Sequence, residues 1–534
     1  VKEAPSTPAA DVVPDATATQ DRVPLAQKIA YGLGTTNEMW GSWLYPSLVW
    51  PVYNIFLHVS PTLVSIALMC NRLADVFADP LFGWWSDNTR SRFGRRRPFI
   101  LVGSILAGLL LPALVFVSPG WSEKAYFWYM AFSSAFYICV VASFSIAWNS
   151  LGNELTPDYH ERTSVFSIRN MIQKIAEVGT FAAAAFCTAT VWIGADKSNA
   201  FDRLMLMLSN SVHWFRRVFI AVVTFDFHHL ATLARTPFGW ETGAKGGMEP
   251  NVLLGAQVYM MILGTVMILV GILIFAVVKE RYYEKLVTKQ AGVRITEGIW
   301  KCLGCRPFRA QVAMALSYGL GTSMVGALGY YTTVYYVCGG NITLGSLWNL
   351  AMGFASMFLG LAGVPFFAWM ARRTGKRVAM LTVQLCAILV FVSTWWLYDP
   401  RIHWLQLFAS GMIAFTQGGF WMLYGAMGPD VIDYDELECG KRREGAFTSC
   451  GTWIMKVGLA LGIGASGLIL SLTGFKAELG ANQLPGVLTN IRLFLAIIPI
   501  AGLLLAMFAL ARFGLTPAKM AEVRAQLEAR RGKV

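Results

Sequence analysis

The chain has 534 residues, of which 55% are hydrophobic and 14% charged, with a mean hydropathy of +0.51. A soluble domain carries about 25% charged residues, so a polar shell this small excludes a water-facing globule and leaves a membrane protein. Long unbroken apolar runs exclude a β-barrel, whose strands alternate. The net charge of +13 reads as basic cytoplasmic loops and not as a nucleic-acid surface.

Residues 1–25, rich in Ala, Pro, Thr and Asp and lacking an apolar run, read as a disordered tail. Twelve apolar stretches follow, near 28–57, 61–86, 98–118, 125–150, 168–193, 252–279, 309–337, 344–371, 377–398, 403–429, 446–473 and 488–512, which predicts an all-α membrane protein. They divide into a six-helix half at 26–279, a basic cytoplasmic connector at 280–308, a second six-helix half at 309–512 and a cytoplasmic tail at 513–534. Basic residues gather after the second span (Arg90, Arg92, Arg95, Arg96, Arg97) and after the eighth (Arg372, Arg373, Lys376, Arg377), so both termini are expected in the cytoplasm. Tyr31-Gly32-Leu33-Gly34-Thr35 recurs letter for letter as Tyr318-Gly319-Leu320-Gly321-Thr322. Such a repeat suits a transporter built by duplication, with its site between the halves. Between the fifth and sixth spans lies an outer insertion at 194–250, whose apolar stretch from Val218 to Phe225 is too short to cross a bilayer; an interfacial helix, a lid and a solvated insertion are all open readings.

Nine Cys sit mostly inside apolar runs as small hydrophobes, and the lone pair Cys302 and Cys305 lacks the two further ligands a closed zinc site needs. With no HExxH, P-loop or nucleophile-base pair, no enzyme is expected, and no resident cofactor.

Ionisable groups inside spans are costly, and each marks a functional position. Arg72, Asp75 and Asp79 share the second span; the two carboxylates are four residues apart, on one helix face. Two such groups in a low dielectric hold a proton, a metal cation or a basic partner. Pro80 follows directly and, lacking an N–H, frees the Val76 carbonyl as a further oxygen. Lys456 in the eleventh span is the expected partner of the pair, and Arg72 a second coupling residue. Glu38 in the first span has no local partner and reads as a substrate or proton site, whereas Lys174 and Glu177, three residues apart, suffice for each other. The loop containing Gly83, Asp87, Gly94 and Arg95 combines tight turns with both signs of charge, as a gating latch would.

These motifs resemble the glycoside-pentoside-hexuronide:cation symporters, the melibiose permease-like branch of the major facilitator superfamily. The resemblance is carried by Asp75-Val-Phe-Ala-Asp79-Pro80, by Asp87-Asn-Thr-Arg-Ser-Arg-Phe-Gly94, by Glu154 to Thr163, and by Asp430 to Glu438 with Gly440 to Gly445. It implies two pseudo-symmetric six-helix halves, a cation site at Asp75 and Asp79 with Lys456 in coupling, and a glycoside as small-molecule substrate. Ala78 and Ala142 stand where sodium-using relatives of that branch carry neutral oxygens, which favours a proton over sodium as coupling ion. Met39 and Ser145 stand where its galactoside-binding carboxylates fall, so the sugar is expected to differ. The expected substrate wall is Glu38, Trp40, Trp148, Asn149, Arg169, Gln173, Trp421 and Tyr424. The expectation is a monomeric, multi-pass symporter of the plasma or inner membrane, with no nucleic-acid partner. A lysolipid- or sterol-like cargo on the same fold, and a sensor that binds without transport, are the alternatives.

Overall fold

The structure is a computed structural model that describes residues 23–89, 91–155, 159–223, 250–279, 302–439, 444–484 and 486–531. The expected tail before residue 23, Asp158, Lys441 to Arg443 and most of the connector lie outside these residues, as does the Asp87 side chain. Among the described residues the fold is all helix, with a single antiparallel bridge between Ile193 and Pro250.

In chain order, α1 comprises Leu25–Met39, Trp40–Leu44, Tyr45–Val49 and Trp50–Phe56. It is followed by α2 (Pro61–Asn88), α3 (Arg97–Leu110), α4 (Glu123–Glu154), α5 (Tyr159–Cys187), α6 (Ala200–Val223) and α7 (Val252–Val277). The second set is α8 (Arg306–Ser323, Gly326–Tyr331 and Thr332–Val337), α9 (Ile342–Thr374), α10 (Lys376–Leu397), α11 (Leu405–Cys439), α12 (Glu444–Leu472), α13 (Val487–Ala511) and α14 (Pro517–Arg531). Among the described residues, nine helical stretches are long and apolar enough to cross a membrane by length and composition. The other long stretches of the bundle, α1, α5 and α11, are not among these nine.

The first-set helices pack on one another, as do those of the second set, and the sets meet chiefly where α2 crosses α12 and where α5 crosses α9. In a bilayer such crossings rest on close approach and not on water exclusion. Gly467 of α12 provides one, since a Cβ there would stand 2.1 Å from the Pro61 carbonyl oxygen of α2. The Thr62 and Ser471 hydroxyls hydrogen-bond at 2.8 Å beside it. At the second crossing the Thr343 hydroxyl donates to the Thr188 carbonyl at 2.7 Å. Tyr331 of α8 donates to the Asn54 side chain of α1 at the same end of the bundle, with its ring edge-on to Trp50 at 6.0 Å.

The repeated Tyr-Gly-Leu-Gly-Thr motif has a packing origin. Gly34 sits under the indole of Trp148, where a Cβ would come within 2.3 Å of Nε1, and Gly321 faces the α13 backbone at 3.1 Å. The ends of α1 and α8 also match. Both finish on a π turn, with Leu57 N–H to Val52 O and Cys338 N–H to Thr333 O each at 3.0 Å. Pro46 and Pro51 cannot donate to the carbonyls four residues back, which disfavours regular α winding in the second half of α1.

The stretch after residue 512, read as a cytoplasmic tail, contains α14, which buries Met520, Val523 and Leu527 beside Phe513. These three residues lie on one helix face, and α14 packs against α11.

Candidate functional site

The α2 carboxylates and the α12 lysine come together across the interface between the two sets. Lys456 Nζ lies 2.9 Å from Asp75 Oδ2 and donates a short hydrogen bond to Asp79 Oδ2. The three side chains keep 28%, 15% and 22% of their surface, so the cluster is sheltered but reachable from a cavity. Pro80 lies inside the continuous helix α2, one residue beyond Asp79.

Arg72 does not join this cluster through an ion pair. Its guanidinium donates to the Ser42 carbonyl at 2.6 Å and lies over the Trp43 ring at 4.5 Å, with Asp75 within electrostatic reach. The reason is local: Pro46 has no N–H to offer the carbonyl four residues back, and Arg72 fills that gap. A carbonyl freed by a proline on another helix carries no pairwise signal in the sequence, so this contact was not expected from it.

A second cluster forms within the first set. Glu38 Oε2 accepts from Arg169 at 3.0 Å, and Glu38 Oε1 accepts from Asn149 Nδ2 at 3.2 Å. The Arg169 guanidinium rests on the face of Trp148 at 4.4 Å. Glu38 lies within electrostatic range of Asp79, which makes the two clusters neighbours. The structure thus brings together Glu38, Asn149 and Arg169, expected from separate spans.

The two tryptophans of this region are placed behind the cluster and not on its open side. Trp148 has no exposed surface and its indole N–H donates to the Tyr31 carbonyl at 2.9 Å; Trp40 is 9% exposed and donates to Ala176 O at 2.9 Å. With their only donors committed, both serve in this conformation as rigid backing, Trp148 for Arg169 itself. Gln173 packs on α1, its amide 3.9 Å from the Met39 sulfur. Lys174 and Glu177 pair with each other at 2.8 Å, as their spacing suggested.

A cavity of about 970 Å³ opens beside these groups, lined by Trp43, Gln311, Gln417, Trp421, Tyr424 and Lys456 among others. Its wall in the second set is aromatic: Trp421 stands edge-on to Tyr424 at 5.7 Å, and Tyr318 stacks on Phe420 at 3.8 Å. Gln311 Nε2 is held by the Tyr424 carbonyl at 3.0 Å. The cavity runs along the second set from Phe308 and Phe447, near the starts of α8 and α12, to Gly329 and Tyr398, where it ends two residues short of the Tyr331 that meets Asn54. Trp43 lines the cavity from the first set, its ring beneath the Arg72 guanidinium.

The loop after α2 is a compact structure. Gly94 adopts φ +103°, a left-handed conformation that favours glycine, and Ser91 Oγ donates to its carbonyl at 2.6 Å. Arg95 is buried, Arg96 donates to Ser86 Oγ at 2.6 Å, and Arg97 reaches the Phe275 carbonyl at the end of α7. Gly83 is not required by close approach, since a Cβ there would meet only Ile146, at 3.9 Å.

An all-helical bundle with an ionised cluster between two packed sets and a central cavity defines a membrane transporter of the major facilitator type. The family model of MFS/sugar transport proteins matches residues 39–517, and the chain belongs to this family, whose members are transporters and not enzymes. A putative glycoside/cation symporter of Escherichia coli is 23% identical over 507 residues, covering 94% of this chain and 95% of the relative. The isoprimeverose transporter of Lactiplantibacillus pentosus is 22% identical, covering 92% and 89%, and a glucuronide carrier protein homolog of Escherichia coli 22% identical, covering 94% and 95%. These relatives agree with the symporter resemblance carried by the α2 motif. Among solved structures, a D-xylose-proton symporter superposes with a TM-score of 0.56 at 12% identity, covering 91% of this chain and 97% of that one, which supports the fold.

Proposed function

We propose that the protein is a cation-coupled symporter, with a proton favoured over sodium, that imports a glycoside by alternating access between two six-helix halves. The observation that carries this reading is the reach of Lys456 from α12 to both Asp75 and Asp79 of α2. Loading a proton, or a sodium ion, onto the carboxylates weakens their hold on Lys456 and so loosens the α2–α12 tie between the halves. The cation thereby changes the balance of conformations in which substrate is bound or released. Relatives named for glycosides, isoprimeverose and glucuronide support the substrate class.

On this reading α1, α5 and α11 also cross the membrane, giving twelve spans with cytoplasmic termini in a plasma or inner membrane. The end closed by Asn54, Tyr331, Thr62 and Ser471 then faces outward, and the cavity faces the cytoplasm. Glu38, Asn149 and Arg169 recognise the sugar hydroxyls or a sugar carboxylate, with Gln173 at their edge and Trp40 and Trp148 behind them. Trp421 and Tyr424 offer ring faces for stacking. The loop through Gly83, Asp87, Gly94 and Arg95 acts as the cytoplasmic gate, and the protein works as a monomer.

The aromatic wall favours a second reading, an amphipathic lysolipid- or sterol-like cargo. Thermal stabilisation of the purified protein separates the two, because a ligand of the native state raises apparent stability. Neutral glycosides or glucuronides should raise the midpoint, more at lower pH and without dependence on sodium. Stabilisation by lysolipids alone would overturn the sugar assignment, and binding with no cation-dependent flux would make the protein a sensor.

A further inference from the structure

The helix α6 lies outside the transport machinery and has a use of its own. Asp196 initiates it: Asp196 Oδ1 accepts from the Ser198 hydroxyl at 2.6 Å and from the Ser198 and Asn199 N–H groups at 3.0 Å each. The Ser198 hydroxyl, and then the Asn199 N–H, hold this carboxyl below the usual range. The segment before α6 is fastened to the end of the bundle, since Asn251 N–H donates to Trp192 O at 3.1 Å and Asn251 Nδ2 to Ala195 O at 3.2 Å. The helix therefore starts 13 positions after the end of α5 and beside the start of α7, which on the proposed twelve-span topology is where both leave the bilayer.

Its exposed surface carries one apolar stripe, with a further exposed apolar residue, Leu206, on its polar side. Met207 is 2% exposed, against the body of the protein. Phe201, Met205, Leu208 and Val212, at steps of four, three and four residues, form one stripe on another face, exposed by 68%, 43%, 48% and 66%. Asp202, Ser209, Asn210 and His213 are exposed away from that stripe, and Arg216 and Arg217 are exposed one turn beyond Val212. With Arg203, the helix carries three arginines against one aspartate.

We infer that α6 is an interfacial anchor. It lies along the membrane plane with the Phe201, Met205, Leu208 and Val212 stripe in the acyl boundary and with Arg216 and Arg217 on anionic phospholipid headgroups. Three features select lipid over other occupants: the start of the helix at the bilayer level, a stripe narrow enough to be covered by acyl chains, and basic residues at its border that complement acidic headgroups. The anchor holds the segment joining α5 to α7, and so bears on the α5–α9 crossing at Thr188 and Thr343.

The test uses the full chain reconstituted in vesicles of phosphatidylcholine with phosphatidylglycerol. A nitroxide is attached through a genetically encoded ketone residue at positions 201, 205, 208, 210, 212 and 213 in turn. Labels at 201, 205, 208 and 212 should relax with dissolved oxygen at least about fivefold more than with a water-soluble nickel chelate, and labels at 210 and 213 the reverse. Replacing phosphatidylglycerol with phosphatidylcholine should reduce that contrast. Equal access of the nickel chelate to all six positions would make the segment a solvated insertion and overturn the inference. Exclusion of both reagents from the stripe would overturn it in favour of a protein partner or a second copy. Neither outcome touches the proposed symport.

Discussion

At the level of single residues, the two charged clusters can be tested separately for the proposed coupling and binding roles. Asp79→Asn removes one carboxylate but leaves Lys456 paired with Asp75 at 2.9 Å, so the fold should survive. Reconstituted Asp79→Asn protein should lose gradient-driven accumulation while keeping substrate exchange; unchanged accumulation would remove Asp79 from the coupling site. Glu38→Gln breaks the ion pair with Arg169 while leaving Arg169 on Trp148. A hydrogen bond to a charged group is worth about 1.5–3 kcal/mol, so substrate affinity should fall roughly tenfold to a hundredfold with little change in coupling. Calorimetric titration checks this, and an affinity equal to that of the parent would place the sugar elsewhere.

These positions were legible because ionisable groups in apolar runs are costly and need a reason. The cross-interface pairing of Lys456 with the α2 carboxylates followed from the same cost. Arg72 was not legible in this way: its partner, the Ser42 carbonyl, depends on how α1 meets α2. The burial of Trp148 was equally hidden, since Gly34, which makes room for its indole, lies 114 positions earlier.

At the level of helices, the boundaries of α2, α4, α7 and α13 could be read from hydropathy, whereas the π turns of α1 and α8 could not. Prolines announce that regular winding fails in α1, but not how the backbone relaxes. The crossing of α2 and α12 offers a direct handle on the conformational cycle, since Thr62 and Ser471 already touch. A chain carrying Thr62→Cys and Ser471→Cys should form a disulfide under oxidation, because the two hydroxyl oxygens that the sulfurs replace lie 2.8 Å apart. Oxidation should abolish transport and reductant should restore it, with the parent chain treated in parallel as control for its own cysteines. Full transport by the cross-linked protein would mean that this end of the bundle does not open during turnover. In α14, Met520, Val523 and Leu527 have the spacing of a buried face although the residues between them include the charged Glu522 and Arg524.

Across the whole molecule, closure at the Asn54–Tyr331 end and a cavity reaching the other end describe one of the states an alternating-access transporter must visit. The sequence repeat supplies two similar sets of helices, and the ionised cluster sits where they meet. On the proposed mechanism, that arrangement lets a small charge change shift a large conformational balance, because packed interfaces switch between discrete states more readily than they deform. The most direct test of the whole account is uptake into proteoliposomes under an imposed proton gradient, acid outside, in sodium-free medium. A radiolabelled glycoside or glucuronide should accumulate above its external concentration and leak back when a protonophore is added. Uptake that stops at equilibrium whatever the gradient would contradict proton-coupled symport.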